Sequence, residues 1–354
     1  MKMRYNKEFM NAKVKEIFKS GACLVSFGMR GGGKTHCAMS FAQNLIEGKF
    51  PDMPKHIVLL TNIIFVRKDS DGVHEACPDN VYKITTIREY FPIVADMLEK
   101  YDRKDVLILL VLDEAQNFLL GDLNSSGDLA KSFKTFAGLL RKWNTCAWFI
   151  TPAMRNLTPA FRNFLDSDTD AGNVTCTFEK DVRRSQAYLD RKHMNLDARD
   201  IVYVKQGYHE PEKMLIVPPS TWTRDPETIK VGEYAYDTYS SADFRIGEGF
   251  PFYDFVYHVS GKSSYDMVAS IREFYQKMER EQPEVLDRDR IERELTLRLM
   301  KNAMVAKTPE KVLMDVFGVN RNKVQYLKQL TRARYPEVGK DASAEDGGTD
   351  SPTS

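Results

Sequence analysis

The sequence predicts an α/β fold, a parallel sheet flanked by helices, followed by a small all-α C-terminal domain. Three observations support this prediction. Short apolar segments alternate with helical patterns over the ~130 residues that follow residue 20. A glycine-rich segment comes directly after the first apolar segment, and an acidic pair ends the most apolar one. Beyond residue 270 the periodicity is helical only.

The predicted elements of the first part follow in a regular order. Residues 6–19 carry apolar side chains at helical spacing, with lysines between them. The predicted strands are 22–28, 56–62, 106–113 and 145–151, and the predicted helices between them are 35–47, 86–101 and 127–143. Pro92 is expected to interrupt its helix, because proline lacks a backbone N–H. This alternation places the strands in one sheet that is covered on both faces.

Beyond Thr151 the pattern becomes irregular. Short strands are predicted at 174–178, 201–206 and 214–219. Residues 221–260 are rich in Tyr, Asp, Gly and Phe and receive no assignment. Residues 270–300 are charged and helical, and a compact helical pattern follows at 308–334.

The overall composition excludes several classes of protein. Lys and Arg number 51 against 50 Asp and Glu, so the formal net charge is only +1. The chain is therefore neither a uniformly basic nucleic-acid binder nor an acidic disordered protein. Residues 106–112 form the longest apolar run, far shorter than the ~20 residues of a membrane span. The charged N-terminus lacks the apolar stretch of a signal peptide.

The cysteines point to a reducing compartment. There are five of them, and no two form a Cys-x-x-Cys pair. An odd number without such a pair favours neither a disulfide framework nor a structural zinc site. We therefore expect reduced thiols in a cytoplasmic protein.

The glycine-rich segment is the clearest functional motif. Residues 28–35 match G-x-x-x-x-G-K-[ST], the loop that binds the phosphates of a nucleoside triphosphate. Its glycines let backbone N–H groups point inward, and the helix that follows presents its positive end to the anion. Lys34 is predicted to reach the β- and γ-phosphates, and the Thr35 hydroxyl to ligate Mg²⁺. The predicted nucleotide-binding residues are Gly28, Arg30, Gly31, Gly32, Gly33, Lys34, Thr35 and His36. For Arg30 the sequence leaves two alternatives open: its side chain contacts phosphate, or it is simply exposed to solvent.

An acidic pair supplies the second motif. The apolar strand 106–112 delivers Asp113 to the carboxyl edge of the sheet, where ligands of parallel sheets collect. Asp113 is predicted to hold Mg²⁺ through water, and Glu114 to act as general base on the attacking water. An Asp-Glu pair favours hydrolysis over a kinase or a slow switch. An acidic strand end can also be simply solvated, but its position after a phosphate loop favours the functional interpretation.

The region around these motifs resembles a known family. After the acidic pair, a predicted helix ends in Leu140-Arg141-Lys142, a short turn follows, and the strand 146–150 closes in Thr151. This arrangement is similar to the HerA/FtsK superfamily of hexameric DNA-pumping ATPases, including its Zot-like and viral genome-packaging members. The resemblance covers roughly residues 20–165 and implies a RecA-like fold, ATP as substrate and a ring of subunits. The family's sensor is usually Thr-Gln, whereas here Pro152 follows Thr151.

The resemblance also implies roles for two further residues. Arg141 becomes the candidate arginine finger that reaches a neighbouring subunit's nucleotide, and Thr151 the sensor of the γ-phosphate. An ordinary cation at a helix C-terminus is the alternative for Arg141. Arg155 and Arg162 are alternative fingers.

The C-terminal part predicts a basic helical pair. Thr308-Pro309 is a helix start, and an apolar stripe is predicted in the helix that follows: Val312, Leu313, Val316 and Phe317. A second helix over 321–332 buries Val324, Leu327 and Leu330. From 298 to 336 there are nine Lys and Arg but only two Asp and Glu. This pattern is typical of a helix-turn-helix with Arg321, Asn322, Gln325 and Arg332 facing DNA, although a hairpin that packs on a partner fits it too.

These predictions combine into one hypothesis. The domains are an N-terminal helix (1–20), a RecA-like ATPase core (21–220), an unassigned segment (221–275), a basic helical domain (276–338) and a disordered acidic tail (339–354). We expect a Mg²⁺-dependent ATPase that moves or packages double-stranded DNA as a homo-oligomeric ring, a hexamer by the resemblance. A viral or plasmid protein partner would suit such a motor. The alternatives are an AAA+-like, ATP-gated DNA-binding regulator or adaptor and a morphogenesis ATPase that acts on a protein partner.

Overall fold

The fold is described from a computed structural model. It describes residues 7–119, 132, 135–153, 175–206, 213–223, 229–241, 244–246, 250–263, 266–281, 296–297, 299–317, 321, 324–325, 327–328 and 331. Several predicted features lie outside this described part: Arg155, Arg162, Asn322, Arg332, Leu330 and the acidic tail. The described chain divides into two compact units, Met1–Tyr275 and Gln276–Ser354.

The first unit is a mixed α/β structure around an eight-stranded, mostly parallel sheet. Its strands, in chain order, are β1 (Cys23–Gly28), β2 (His56–Thr61), β5 (Val81–Lys83), β6 (Val106–Leu112), β7 (Thr145–Ile150), β8 (Cys176–Lys180), β9 (Ile201–Gln206) and β10 (Lys213–Ile216). Their spatial order is β10-β9-β8-β1-β7-β6-β2-β5. The pairs from β8 to β5 are parallel, whereas β9 and β10 run antiparallel to their neighbours. The carboxyl ends of six parallel strands, β8, β1, β7, β6, β2 and β5, therefore meet at one edge.

Helices cover this sheet on both faces, as the sequence predicts. They are α1 (Lys7–Ile17), α2 (Lys34–Ile46), α3 (Ile87–Lys100), α4 (Ala115–Leu119), α5 (Val182–Lys192), α6 (Phe252–Ser260) and α7 (Met267–Glu281). Alternate residues of β6, from Leu107 to Val111, join the core cluster that contains the apolar side chains of α1 and α2. The other face carries an aromatic cluster in which Phe91 of α3 contacts Trp143 and Phe255 of α6. Every residue of β6 is buried, which explains its continuous apolar sequence.

A second, three-stranded sheet was not predicted. Its strands are β3 (Ile63–Asp69), β4 (Gly72–Glu75) and β11 (Tyr234–Ser241), in the antiparallel order β11-β3-β4. β11 and α6 both fall in the segment 221–260 that the sequence left unassigned. Only the first half of β3 is buried, and β4 is fully exposed, so neither strand shows a clear hydrophobic alternation.

Two predictions about helices need correction. α3 continues through Pro92 instead of being interrupted there. Proline removes the N–H that would bond to the Arg88 carbonyl, but the Tyr275 hydroxyl donates to that carbonyl and satisfies it. The predicted helix 127–143 ends in a 3₁₀ turn, Leu140–Trp143, that contains Arg141, while residues 120–131 and 133–134 lie outside the described part.

The second unit has a small core of its own. Met300, Leu313 and Val324 are buried together, and Phe317 and Leu327 pack against them. Leu313 and Phe317 belong to α8 (Glu310–Phe317). The predicted apolar stripe is wrong for Val312 and Val316, which are 45% and 69% exposed. Leu313 and Phe317, four residues apart, define the buried face and turn the two valines outward.

The length and apolar character of a helix determine whether it can span a membrane. Across the described residues, no helix combines the length and the apolar character needed to cross a bilayer.

Candidate active site

The predicted phosphate loop connects β1 to α2. β1 ends at Gly28 and α2 begins at Lys34, so the loop opens at the carboxyl edge of the sheet. Gly28 and Gly33 have φ angles of +142° and +85°. A Cβ on Gly28 would lie 2.1 Å from the Lys180 carbonyl oxygen. Both steric space and backbone conformation therefore require glycine at Gly28.

Lys34 lies over this loop. Its Nζ donates hydrogen bonds to the carbonyl oxygens of Gly28 and Met29, at 3.0 and 3.1 Å. Burial lowers the pKa of Lys34, and the carboxylates of Asp113 and Glu114 oppose that shift. The ammonium is thus held by the loop backbone, close enough to the acidic pair to interact with its charge.

Thr35 and Asp113 connect the two sequence motifs. The Thr35 hydroxyl donates to Asp113 Oδ2 at 2.7 Å, although the residues are 78 positions apart. Asp113 is only 7% exposed, and its Oδ1 accepts a hydrogen bond from the Glu114 N–H at 2.8 Å. Burial raises the pKa of Asp113, while the Thr35 hydrogen bond lowers it. A hydroxyl and a carboxylate in contact at a sheet edge form the hard oxygen donor set that Mg²⁺ prefers.

Asn62 fixes the position of Asp113. It follows β2 directly, is 1% exposed, and its side-chain amide pairs with the Asp113 backbone. Nδ2 donates to the Asp113 carbonyl at 3.0 Å, and Oδ1 accepts from the Asp113 N–H at 2.8 Å. The sequence analysis missed this residue. A polar residue directly after a buried strand was the available signal.

Glu114 adopts an uncommon backbone conformation. Its φ angle is +52°, in the left-handed region that non-glycine residues rarely enter. The Gln116 side chain donates to Glu114 Oε2 and orients the carboxylate. Backbone strain of this kind is concentrated at functional sites, where surrounding contacts hold it.

Thr151 lies at the same edge of the sheet, because β7 is inserted between β1 and β6. It is fully buried, and its hydroxyl donates to the Ala153 carbonyl at 3.3 Å. The carbonyl of Pro152, where the family resemblance expects glutamine, accepts a hydrogen bond from Gly28 N–H at 3.1 Å. The turn after β7 is thereby tied to the start of the phosphate loop.

Arg141 lies elsewhere. It precedes β7 and so belongs to the amino edge of the sheet, where its carbonyl accepts a hydrogen bond from the Ser20 hydroxyl. Arg141 therefore does not contribute to the site of its own chain. The neighbouring Lys142 donates to the carbonyls of Ser260 and Lys262, both at 2.9 Å, and so caps the end of α6.

Two further predicted nucleotide-binding residues differ in their surroundings. Arg30 is exposed. His36 Nδ1 is 2.8 Å from the hydroxyl of Tyr236, a fully buried residue of β11. The second sheet is thereby linked to the helix that carries Lys34 and Thr35.

Lys180 was also missed by the sequence analysis. It ends β8, pairs in register with Gly28 and is 1% exposed. Its Nζ donates to the carbonyls of Arg199 and Ile201, the latter at 2.6 Å. Burial lowers the pKa of Lys180. The predicted strand stopped at residue 178, so a lysine at its end carried no signal.

The predicted DNA-binding residues are described only in part. Arg321 is 75% exposed in its side chain, and its Nε donates to Glu310 Oε2 at 3.0 Å. Gln325 also donates to Glu310, and Lys328 Nζ lies 3.2 Å from Glu310 Oε1. One carboxylate of α8 thus binds three side chains of the predicted recognition helix.

Known proteins offer little to compare with this chain. No protein-family model and no curated protein matches it. Among solved structures, one titled "Structure of C. elegans PCH-2" can be aligned with this chain. The alignment covers 95% of this chain and 68% of that chain, at 12% sequence identity. Its TM-score of 0.27 is too low to inform the fold or the activity of this chain. The HerA/FtsK resemblance therefore stays a prediction.

Proposed function

We propose that this protein hydrolyses ATP with the help of Mg²⁺. The hydrogen bond between Thr35 and Asp113 carries the proposal, because it joins the phosphate loop to the acidic pair at one edge of the sheet. A phosphate loop alone binds anions. A loop with a buried carboxylate against its hydroxyl also provides ligands for the metal that accompanies a nucleotide.

Each residue of the site has a distinct role in this proposal. The loop N–H groups and the N-terminus of α2 bind the phosphates, and Lys34 neutralises charge on the β- and γ-phosphates. Thr35, and Asp113 through water, would hold Mg²⁺, which would neutralise negative charge on the phosphates. Glu114 accepts a proton from the attacking water. The Gln116 side chain holds that carboxylate in place by its hydrogen bond to Glu114 Oε2.

Phosphate release by the full-length protein tests this proposal, with ATP and GTP compared in Mg²⁺ and in EDTA. We expect Lys34→Ala to lose both nucleotide binding and turnover. Glu114→Gln should keep binding but lose turnover by about 100-fold or more, since general-base catalysis contributes roughly 10²–10⁴-fold. Glu47→Gln, at the other end of α2, is the matched control and should behave as wild type. Undiminished turnover in Glu114→Gln would refute the assigned base.

The finer proposal is a ring that acts on double-stranded DNA. Two observations support DNA as the partner: the excess of Lys and Arg over 298–336, and the exposed Arg321 guanidinium. Arg141, at the amino edge of the sheet, would serve only a neighbouring subunit's site. The ring itself and its six subunits rest on the family resemblance.

Long duplex DNA separates the motor from its alternatives. A motor should show strongly stimulated ATP turnover and directional displacement of a bound roadblock. Stimulation without displacement would favour an ATP-gated regulator, and no response to DNA would favour an ATPase acting on a protein partner.

Mixing Arg141→Ala with Lys34→Ala subunits tests the proposed arginine finger. If Arg141 acts in trans, mixed rings should recover some turnover that neither variant shows alone.

A further inference from the structure

Beside the phosphate loop lies a segment that neither motif explains. Residues Ala198–Asp200 form a 3₁₀ turn just before β9. A Cβ placed on Gly33 would be 3.8 Å from Arg199 Cβ and 3.9 Å from the Arg199 carbonyl oxygen. The Arg199 backbone therefore packs directly against the last glycine before Lys34, at the N-terminus of α2.

Buried hydrogen bonds fix this segment in place. Lys180 extends beneath the loop, where its Cε would lie 3.7 Å from a Cβ on Gly33. Its Nζ donates to the carbonyls of Arg199 and Ile201. Lys180 is almost completely buried and binds the Arg199 backbone, whereas the Arg199 side chain is partly exposed to solvent.

The Arg199 side chain is exposed and paired with one acid. Its Nε lies 3.1 Å from both oxygens of Asp197, and one terminal nitrogen lies 2.8 Å from Asp197 Oδ2. Both side chains are 45% exposed. An ion pair this exposed contributes little to stability, so the guanidinium can exchange its partner at low cost.

We propose that Arg199 binds the phosphates of the nucleotide held by the loop of the same chain, exchanging the Asp197 carboxylate for phosphate oxygens. This inference rests on the proposed nucleotide site. A guanidinium presents paired N–H donors that match a phosphate as well as a carboxylate, and the phosphate carries more negative charge. The position beside Gly33, at the positive end of α2, brings it to the region where the phosphates would lie. Lys180 acts as a positioning residue through the Arg199 backbone.

Calorimetric titration of the full-length protein with the Mg²⁺ complex of AMP-PNP, which is not hydrolysed, tests this proposal. We expect Arg199→Ala to raise the Kd about tenfold or more, the range for one hydrogen bond to a charged group. Arg199→Lys should give a smaller loss, since the charge stays but the paired donors are gone. Arg191→Ala is the matched control, because Arg191 is exposed on α5 and donates to the Ala187 carbonyl.

Asp197→Asn separates nucleotide contact from a structural ion pair. The asparagine can still accept the hydrogen bond from the Arg199 backbone N–H, which is 2.8 Å from Asp197 Oδ1. If Arg199 binds phosphate, removing its competing acid should leave the Kd unchanged or lower it. Equal increases in Kd for Arg199→Ala and Asp197→Asn, or a Kd within twofold of wild type for Arg199→Ala, would overturn the proposal. Failure of the wild-type protein to bind AMP-PNP would instead refute the nucleotide site itself.

Discussion

Asn62 and Asp113 form a closed pair of hydrogen bonds between the side chain of one and the backbone of the other. The Asn62 amide donates to the Asp113 carbonyl at 3.0 Å and accepts from its N–H at 2.8 Å. This contact joins the ends of two neighbouring strands, β2 and β6. It therefore sets where the Asp113 carboxylate and the Glu114 backbone lie.

We predict that Asn62→Ala lowers kcat for ATP about tenfold or more and changes KM only a few-fold. The phosphate loop stays intact in this variant, but the acidic pair loses the contact that orients it. Loss of two buried hydrogen bonds should also cost about 1 kcal/mol each in unfolding free energy. Steady-state kinetics and thermal unfolding measure the two effects.

Asn44→Ala is the control for this prediction. Asn44 is buried in α2 and donates to the carbonyls of Ser40 and Pro219, away from the acidic pair. It should lose similar stability but keep its kcat. Equal kinetic defects in both variants would mean that Asn62 acts only through stability.

The Thr35 hydroxyl can be removed without changing the shape of the side chain, which tests its role in turnover. Thr35→Val keeps the shape but removes the hydroxyl that is 2.7 Å from Asp113 Oδ2. We expect turnover to fall about 100-fold or more, because the proposed metal ligand and the contact with Asp113 disappear together. Thr35→Ser should stay within about tenfold of wild type, since its hydroxyl can fill both roles. Turnover measured across a Mg²⁺ titration distinguishes them, and a Thr35→Val variant with normal Mg²⁺ dependence would contradict the assignment.

The sequence predicted what is contiguous along the chain. The loop from Gly28 to Thr35, the strand that ends at Asp113, and the covering helices are local patterns of composition and period. Asn62, Lys180 and Arg199 could not be predicted in the same way. Their proximity to the loop depends on the order of the strands in the sheet, which periodicity does not encode.

The second sheet was missed for a different physical reason. Only the first three residues of β3 are buried, and its remainder is Val66-Arg67-Lys68-Asp69. Such a strand lacks the alternation that identifies a half-buried strand. Its partner β11 lies about 170 residues further along the chain, so the pairing has no local signal.

The contact between Tyr275 and Arg88 compensates for the proline in α3. The Tyr275 hydroxyl donates to the Arg88 carbonyl, which Pro92 cannot bond because it has no N–H. We predict that Tyr275→Phe lowers the unfolding free energy by about 1–3 kcal/mol, since it leaves that carbonyl without its donor. In a Pro92→Ala background the same change should cost much less, because the backbone N–H that alanine restores can bond to the carbonyl. Denaturant unfolding of all four proteins in the cycle gives the coupling, and strictly additive effects would exclude this compensation.

The reactivity of the cysteine thiols tests whether the sheet core is closed to solvent. Cys23, Cys37, Cys146 and Cys176 are buried, whereas Cys77 is half-buried. Burial raises the pKa of Cys23 to about 12 and that of Cys37 to about 11. Thiolate is the reactive form, so a raised pKa means slower reaction at pH 8.

With a thiol-disulfide reagent at pH 8, we expect Cys77 to react first and the four buried cysteines to react only on unfolding. The pKa of Cys77 is also raised by burial, so its reaction should accelerate as the pH increases. Mass spectrometry of the labelled peptides identifies the sites. Rapid labelling of Cys23 or Cys37 in the native protein would show that the sheet core is open to solvent.

Glu310 is the residue whose removal should strengthen DNA binding if the C-terminal unit binds DNA as proposed. Its carboxylate binds Arg321, Gln325 and Lys328, and the Lys328 hydrogen bond lowers the pKa of Glu310. Glu310→Gln keeps the size of the side chain but removes a negative charge of α8 that contacts the predicted recognition helix. We therefore expect tighter binding to duplex DNA and a steeper salt dependence, by roughly one unit in the slope of log K against log salt.

Asp315→Asn is the control for this prediction, because Asp315 is an exposed acid on α8 and its substitution makes the same change in net charge. Fluorescence anisotropy over a range of salt concentrations should show a larger gain for Glu310→Gln than for Asp315→Asn, and equal gains would mean that Glu310 affects DNA only through net charge.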